Sequence, residues 1–213
     1  MAQHPAIAPL PKDPPALEGV EHRWITTPAG TRIHVAVAGP EDGAPVMLVH
    51  GFPQHWWEWQ AQIGPLAADG YRVIVPDLRG AGWSDAPQGL YLKTDMGDDL
   101  AAVIDALGAG PVKVAAHDWG GPVAMCMLLQ HPDKVTGFLG LNTIAPILKL
   151  DGGMLKHTRR FWYQYPMLLP VVGPKALGQS DGAYLRMLQK WVSPSYVWPE
   201  AEAQLYLGQL QDP

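Results

Sequence analysis

The chain is poor in several things at once. Its 213 residues include one cysteine and three phenylalanines, and only 16% are charged. A single thiol, Cys126, excludes any disulfide within the chain, and its place in an apolar run reads as core rather than as a reactive group. No basic run exceeds Arg159-Arg160 and the net charge is −5, which argues against nucleic acid and anionic membrane as partners. No apolar run is long enough to span a bilayer. The eight histidines show no metal-ligand spacing, so neither a metal nor a cofactor is expected. No basic segment precedes an apolar one near Met1, so a secretion signal is absent from the reading and a cytoplasmic location is expected. What is plentiful is apolar content, at 47%, together with nine tryptophans, three of them in Trp56-Trp57-Glu58-Trp59.

Residues 1–20 form a proline-rich leader with little periodic pattern. Two β-rich segments, His22 to Thr27 and Thr31 to Ala38, are joined by Pro28-Ala29-Gly30 and read as a hairpin. Pro45 to Val49 is a continuous apolar run of the kind found at the centre of a parallel sheet. A helix from about Trp56 to Ala68, a strand from Tyr71 to Val75, a helix from about Lys93 to Leu107 and a strand from Val112 to Ala116 follow. A helix to Gln130 and a strand from Val135 to Leu141 complete an alternation typical of a doubly wound α/β sheet. The pair Gly80-x-Gly82 lacks the third glycine and the helix of a dinucleotide site. From about residue 145 the rhythm is helical, with segments at Leu150 to Tyr165, Asp181 to Val192 and Pro199 to Leu210. The expected organisation is therefore a leader (1–20), an α/β core (21–144) and a helical lid (145–213).

Ligand sites in such sheets lie at the carboxyl ends of the strands, and His50, Asp77 and Asp118 all fall there. The last is the most informative. His117-Asp118-Trp119-Gly120-Gly121 sits between a buried strand and an apolar helix that begins near Pro122, which is the geometry of a nucleophile elbow. Ala116, Gly120 and Gly121 are small, as a sharp turn against a helix requires. At the apex stands a carboxylate. Read alone, Asp118 is either a turn former capping the helix or a nucleophile that needs no activating base, since carboxylates are ionised at neutral pH. An acidic nucleophile suits displacement at an alkyl carbon better than attack on an acyl group.

Three motifs together resemble the α/β-hydrolase fold, and within it the branch of epoxide hydrolases and haloalkane dehalogenases. They are His50-Gly51-Phe52-Pro53-Gln54, Asp77-Leu78-Arg79-Gly80-x-Gly82-x-Ser84-Asp85 and Ala116-His117-Asp118-Trp119-Gly120-Gly121. The resemblance covers about residue 21 to the end. It implies a mostly parallel twisted sheet with flanking helices and a helical lid, with Asp118 as nucleophile. It also implies an oxyanion hole from the backbone N–H groups of Phe52 and Trp119. His50, Gly51, Pro53 and Trp162 would line the substrate. Epoxide hydrolases protonate the ring oxygen with lid tyrosines, and Phe161-Trp162-Tyr163-Gln164-Tyr165 offers Tyr163 first and Tyr165 second. The implied substrate is a small hydrophobic epoxide. A haloalkane or haloacid dehalogenase is the alternative, although Phe52 stands where a halide-holding side-chain donor would be.

The chain departs from the family pattern in its second half. The family's water-activating histidine, its partner acid and a second lid tyrosine have no counterpart before Pro213, and Leu141-Asn142-Thr143 offers no carboxylate. His50, His55 and His117 lie near the site without occupying the base position, and alternation along the strand turns His117 away from the pocket. The expectation is a hydrolase incomplete within its lid, completed by a further segment or by a second copy in a homodimer. The non-enzyme alternative is an inactive interaction module presenting an unfinished sheet edge.

Overall fold

The structure, a computed structural model, describes residues 5–143, 162, 164–169, 171–178 and 182–211. These residues divide into two compact units, one spanning Asp13–Pro146 and the other combining Met1–Lys12 with Ile147–Pro213.

The first unit is built on six strands: β1 (Val20–Thr26), β2 (Arg32–Ala38), β3 (Ala44–Val49), β4 (Tyr71–Pro76), β5 (Val112–His117) and β6 (Val135–Leu141). They lie in the order β1-β2-β4-β3-β5-β6. The hairpin β1–β2 is antiparallel, and β2 also runs antiparallel to β4. From there β4, β3, β5 and β6 are mutually parallel. The sheet is thus mostly parallel, with an antiparallel edge that the sequence shows only as a Pro-Ala-Gly turn. β1 begins at Val20, two residues before the expected start.

Helices cover both faces. α1 (Gln60–Ala68), α2 (Lys93–Ala106) and α3 (Gly120–Gln130) sit between strands. The expected helix from Trp56 opens instead as a 3-10 turn, Trp56–Trp59, capped by His55, whose Nδ1 accepts from the Trp57 N–H at 3.3 Å. Strand alternation sorts the core. Val35, Met47, Val49, Ile74 and Val114 join Leu100, Val103, Ile104 and Met127 of α2 and α3 on one face. Ala36, Leu48, Val73 and Val75 meet Trp56, Trp59 and Ile63 on the other. Each large side chain so buried stabilises the fold by about 1.5–3 kcal/mol before entropy is counted. β6 is one edge of the sheet, with Leu139 and Leu141 exposed.

The second unit holds α4 (Gln164–Leu168), α5 (Val172–Leu177), α6 (Ala183–Val192) and α7 (Glu200–Gly208). α5 lies in a Gly-Pro stretch that reads as a break in sequence. The expected helix from Leu150 lies largely outside the described residues. Ile7 is buried with Leu185, Leu188, Ala203 and Leu207, and Arg186 makes a two-pronged ion pair with Glu200 at 2.8 and 3.1 Å. The leader is therefore ordered where described. The Ala8 N–H donates to Gln204 Oε1 at 3.1 Å, and Gln204 Nε2 donates to the Ala6 carbonyl at 3.2 Å. Its prolines fit such an extended strap, which presents few N–H groups to satisfy. Among the described residues no helix is long and apolar enough to cross a membrane.

Candidate active site

β5 delivers its last residue, His117, to a turn in which Asp118 takes φ +45°, a left-handed conformation that costs a non-glycine residue about a kilocalorie or more. The surroundings hold it there. The Asp118 N–H donates to the Leu141 carbonyl at 3.2 Å, continuing the β5–β6 ladder by one bond. The Asp118 carbonyl accepts from the Gly121 N–H at 3.1 Å and from the Thr143 hydroxyl at 2.6 Å. α3 starts at Gly120, two residues earlier than Pro122 suggests, because the helix packs directly on the strand-end loop. A Cβ on Gly120 would lie 2.4 Å from the His50 carbonyl oxygen.

The loop after β3 carries the facing half. The Phe52 N–H donates to Asp118 Oδ2 at 3.1 Å. Gly51 is buried and pressed against the carboxylate, so that a Cβ there would come within 2.6 Å of Asp118 Cβ. The Trp119 backbone N–H, the second expected donor, makes no bond to this carboxylate; the Trp119 indole instead lies under Lys93, whose Nζ is 5.2 Å from the ring centroid. Burial pushes the Lys93 ammonium below its usual range, while Cys126 and Asp118 act in the opposite direction.

His50 is 2% exposed and bonded through both ring nitrogens. Nδ1 donates to the Gly51 carbonyl and Nε2 accepts from the Leu78 N–H, both at 2.9 Å. It staples two strand-end loops together and leaves no ring nitrogen for a ligand. Pro53 is buried, and Phe52 turns a partly exposed ring outward. Asp77 is fully buried beneath the site. It accepts from the Trp56 N–H at 2.6 Å, the Trp83 N–H at 3.0 Å and His34 Nδ1 at 2.7 Å, and His34 Nε2 meets His22 Nδ1 at 2.9 Å. Burial raises the Asp77 pKa, but the hydrogen bond and charge of His34, with His55 and His50, outweigh it and leave the carboxyl below its usual range. Gly82 belongs to this support and not to a phosphate loop: a Cβ there would fall 2.1 Å from Asp77 Oδ2. Arg79 forks onto Asp99 of α2 at 2.6 and 2.8 Å.

His117 faces Glu58, in ion-pair contact through Nδ1. The close pairing with Glu58 raises its pKa above the ordinary value, burial lowers it, and the Glu58 and Asp118 charges raise it again. Sequence reasoning missed His34, Glu58, Lys93 and Thr143; only Glu58, an acid within a tryptophan cluster, carried any signal. Tyr163 lies outside the described residues, while Trp162 and Tyr165 are exposed in the helical unit. Among the described residues no cluster of three metal-ligating side chains occurs.

The family model described as "alpha/beta hydrolase fold" matches residues 44–201. AB hydrolase superfamily protein YfhM of Bacillus subtilis is 39% identical over 132 residues, covering 61% of this chain and 46% of that protein. Epoxide hydrolase B of Mycobacterium tuberculosis is 42% identical over 117 residues, covering 53% of this chain and 33% of that one. The crystal structure of epoxide hydrolase VrEH1 from Vigna radiata superposes with a TM-score of 0.69 at 29% identity, over 87% of this chain and 60% of the other. The chain spans less than half the length of these two curated relatives.

Proposed function

Since the chain belongs to the α/β-hydrolase fold family, we propose that its site opens epoxides, with Asp118 as the nucleophile. The observation that carries this reading is the Asp118 carboxylate, held at a left-handed elbow with Oδ2 on the Phe52 N–H. The 42% identity to an epoxide hydrolase supports it. With Oδ2 engaged, Oδ1 is the oxygen that attacks. It forms a bond to one ring carbon as the C–O bond of the epoxide breaks, and the electron pair passes to the ring oxygen. That oxygen takes a proton from a phenol, Tyr163 in first place and Tyr165 in second, because an alkoxide leaves poorly without one. The product is a hydroxyalkyl ester of Asp118.

Hydrolysis adds water to the ester carbonyl, whose oxygen is Oδ2. The Phe52 N–H already sits on the atom where negative charge develops; the Trp119 N–H, which does not reach the resting carboxylate, would have to join it as the tetrahedral intermediate forms. Collapse releases the diol and returns the carboxylate. This half requires a base for the water. His50 is bonded through both nitrogens, His55 is fully buried and His117 is paired with Glu58. None of these three is placed as that base, so alkylation of Asp118 is the half of the reaction proposed for this chain.

A carboxylate displacing halide is the competing reading, and the leaving group distinguishes them. Styrene oxide should add one epoxide mass to the chain, mapping to Asp118 by peptide mass spectrometry. Asp118→Asn should abolish the label and Cys126→Ala should leave it. A label confined to Cys126 or a histidine would overturn the assignment, as would halide release from an alkyl chloride with no reaction at the epoxide.

A further inference from the structure

Two partly buried ionisable side chains beside the elbow have no part in the reaction just described. Glu58 has a side chain 12% exposed and His117 one 27% exposed. A carboxylate largely removed from water costs several kcal/mol unless it is fully paired, and Glu58 is paired on both oxygens. Oε2 accepts from the Gly51 N–H at 3.0 Å. Oε1 is in ion-pair contact with His117 Nδ1.

Both partners are one peptide away from the reacting groups. Gly51 precedes Phe52, whose N–H holds Asp118 Oδ2, and His117 precedes Asp118 itself. The contacts close a ring: Asp118 to Phe52, back one residue to Gly51, across to Glu58, across to His117 and forward one residue to Asp118. The Gly51 and Phe52 N–H groups lie on consecutive peptide planes with only the φ and ψ of Gly51 between them, and holding the first on Glu58 and the second on Asp118 confines those two torsions. There is little room on that side, since a Cβ on Gly51 would lie 2.6 Å from Asp118 Cβ.

Resting on the reading of Asp118 as nucleophile, we infer that Glu58 and His117 are a positioning pair that locks the Phe52 oxyanion donor in register with the nucleophile elbow. Neither touches the reacting atoms. Their action is on geometry: the loop after β3 and the end of β5 are separate segments, and this pair ties them. The 3-10 form of Trp56–Trp59 belongs to the same device, because it brings Glu58 back under Gly51, seven residues before it.

A purely structural ion pair would lower stability when broken and leave the chemistry's pH dependence alone. A positioning pair has a different signature. The charged groups acting on His117 are the Glu58 and Asp118 carboxylates, and its pKa is raised above the ordinary value. The charged pair is therefore complete at low pH and lost as pH rises through that raised value. Esterification of Asp118 by styrene oxide should fall with it, along an alkaline limb centred above the ordinary histidine value of about 6.5.

The test measures single-turnover labelling by intact mass from about pH 5.5 to 9.5, alongside the His117 ring titration by NMR. In the wild type the two midpoints should coincide. Glu58→Gln keeps an acceptor for Gly51 but removes the counter-ion, and should move both midpoints toward about 6.5 and slow labelling roughly 10- to 100-fold at the acidic end. His117→Asn retains a donor near the Nδ1 position that cannot titrate, and its profile should lose the limb. An unshifted His117 in the wild type, or Glu58→Gln with the wild-type rate and profile, would overturn the pair. If the wild type takes no label on Asp118, the nucleophile reading fails by itself. The pair is then decided by the His117 titration and by hydrogen exchange at the Phe52 amide, which Glu58→Gln should accelerate. Unchanged exchange and titration would sink it.

Discussion

The Phe52 N–H points at Asp118 Oδ2 from 3.1 Å, so an amide of the loop after β3 and the carboxylate after β5 are in register without a substrate. Gly51 is what permits this approach, since a Cβ there would overlap Asp118. Gly51→Ala should push the loop away and misplace the donor. By holding Oδ2 the Phe52 N–H orients Oδ1 for attack, and since a misplacement of about 1 Å can cost roughly 10²-fold, labelling of Asp118 should slow by that order. Single-turnover mass spectrometry checks it, and a wild-type rate would remove the Phe52 amide from the chemistry.

The phenol assignment makes a prediction about leaving groups. Opening an epoxide needs a proton at oxygen, whereas displacement of halide does not. Tyr163→Phe should slow esterification by styrene oxide roughly 10²–10⁴-fold and leave esterification by a benzyl halide little changed. If the loss falls on Tyr165→Phe instead, the roles of the two tyrosines exchange. Equal losses on both reagents from either variant would point to damaged packing.

Much of this site was legible before any coordinates, and the reason is local. Strand, turn and helix around Asp118 are encoded within one contiguous stretch, and the small residues Gly51 and Gly120 mark close backbone approaches visible as glycines in sequence. What was not legible is non-local. His34 meets Asp77 and Thr143 meets the Asp118 carbonyl across separations that no periodicity reports. The role of Gly82 was hidden for the same reason, because its neighbour is a buried carboxylate on the same loop and not a ligand. The packing of Ile7 among α6 and α7 was invisible because prolines erase the periodic pattern on which helices and strands are recognised.

Thr143 supports the strained elbow through its 2.6 Å hydrogen bond to the Asp118 carbonyl. Thr143→Val keeps the shape and removes the donor. The expected cost is about 1 kcal/mol, read as a lowered midpoint in urea, and Thr143→Ser should restore most of it. Equal stability of all three would mean that the Gly121 and Leu141 bonds suffice to hold φ +45° at Asp118.

Asp77 offers a prediction whose sign in pH can be worked out. The carboxylate is fully buried and accepts two backbone N–H groups and the His34 ring. Asn in its place turns one acceptor oxygen into a donor NH₂ facing one of those donors. Breaking a buried, paired charge in this way costs about 3–5 kcal/mol. The folded-state pKa of Asp77 lies below the usual value despite the penalty of burial, because His34, His55 and His50 favour the charged form. A group with a depressed folded pKa contributes stability above its unfolded value of about 3.9 and loses it as pH falls through the folded one. In that acid window the unfolded chain binds a proton that the native protein does not, so wild-type stability drops there. The Asp77→Asn protein has no such proton to bind. Its deficit relative to wild type should therefore be full at neutral pH and shrink below about pH 4, as urea unfolding at several pH values would report. A deficit that stays constant from neutral to acid would show that Asp77 acts through its shape and hydrogen bonds alone, with no part of its stabilisation carried by charge.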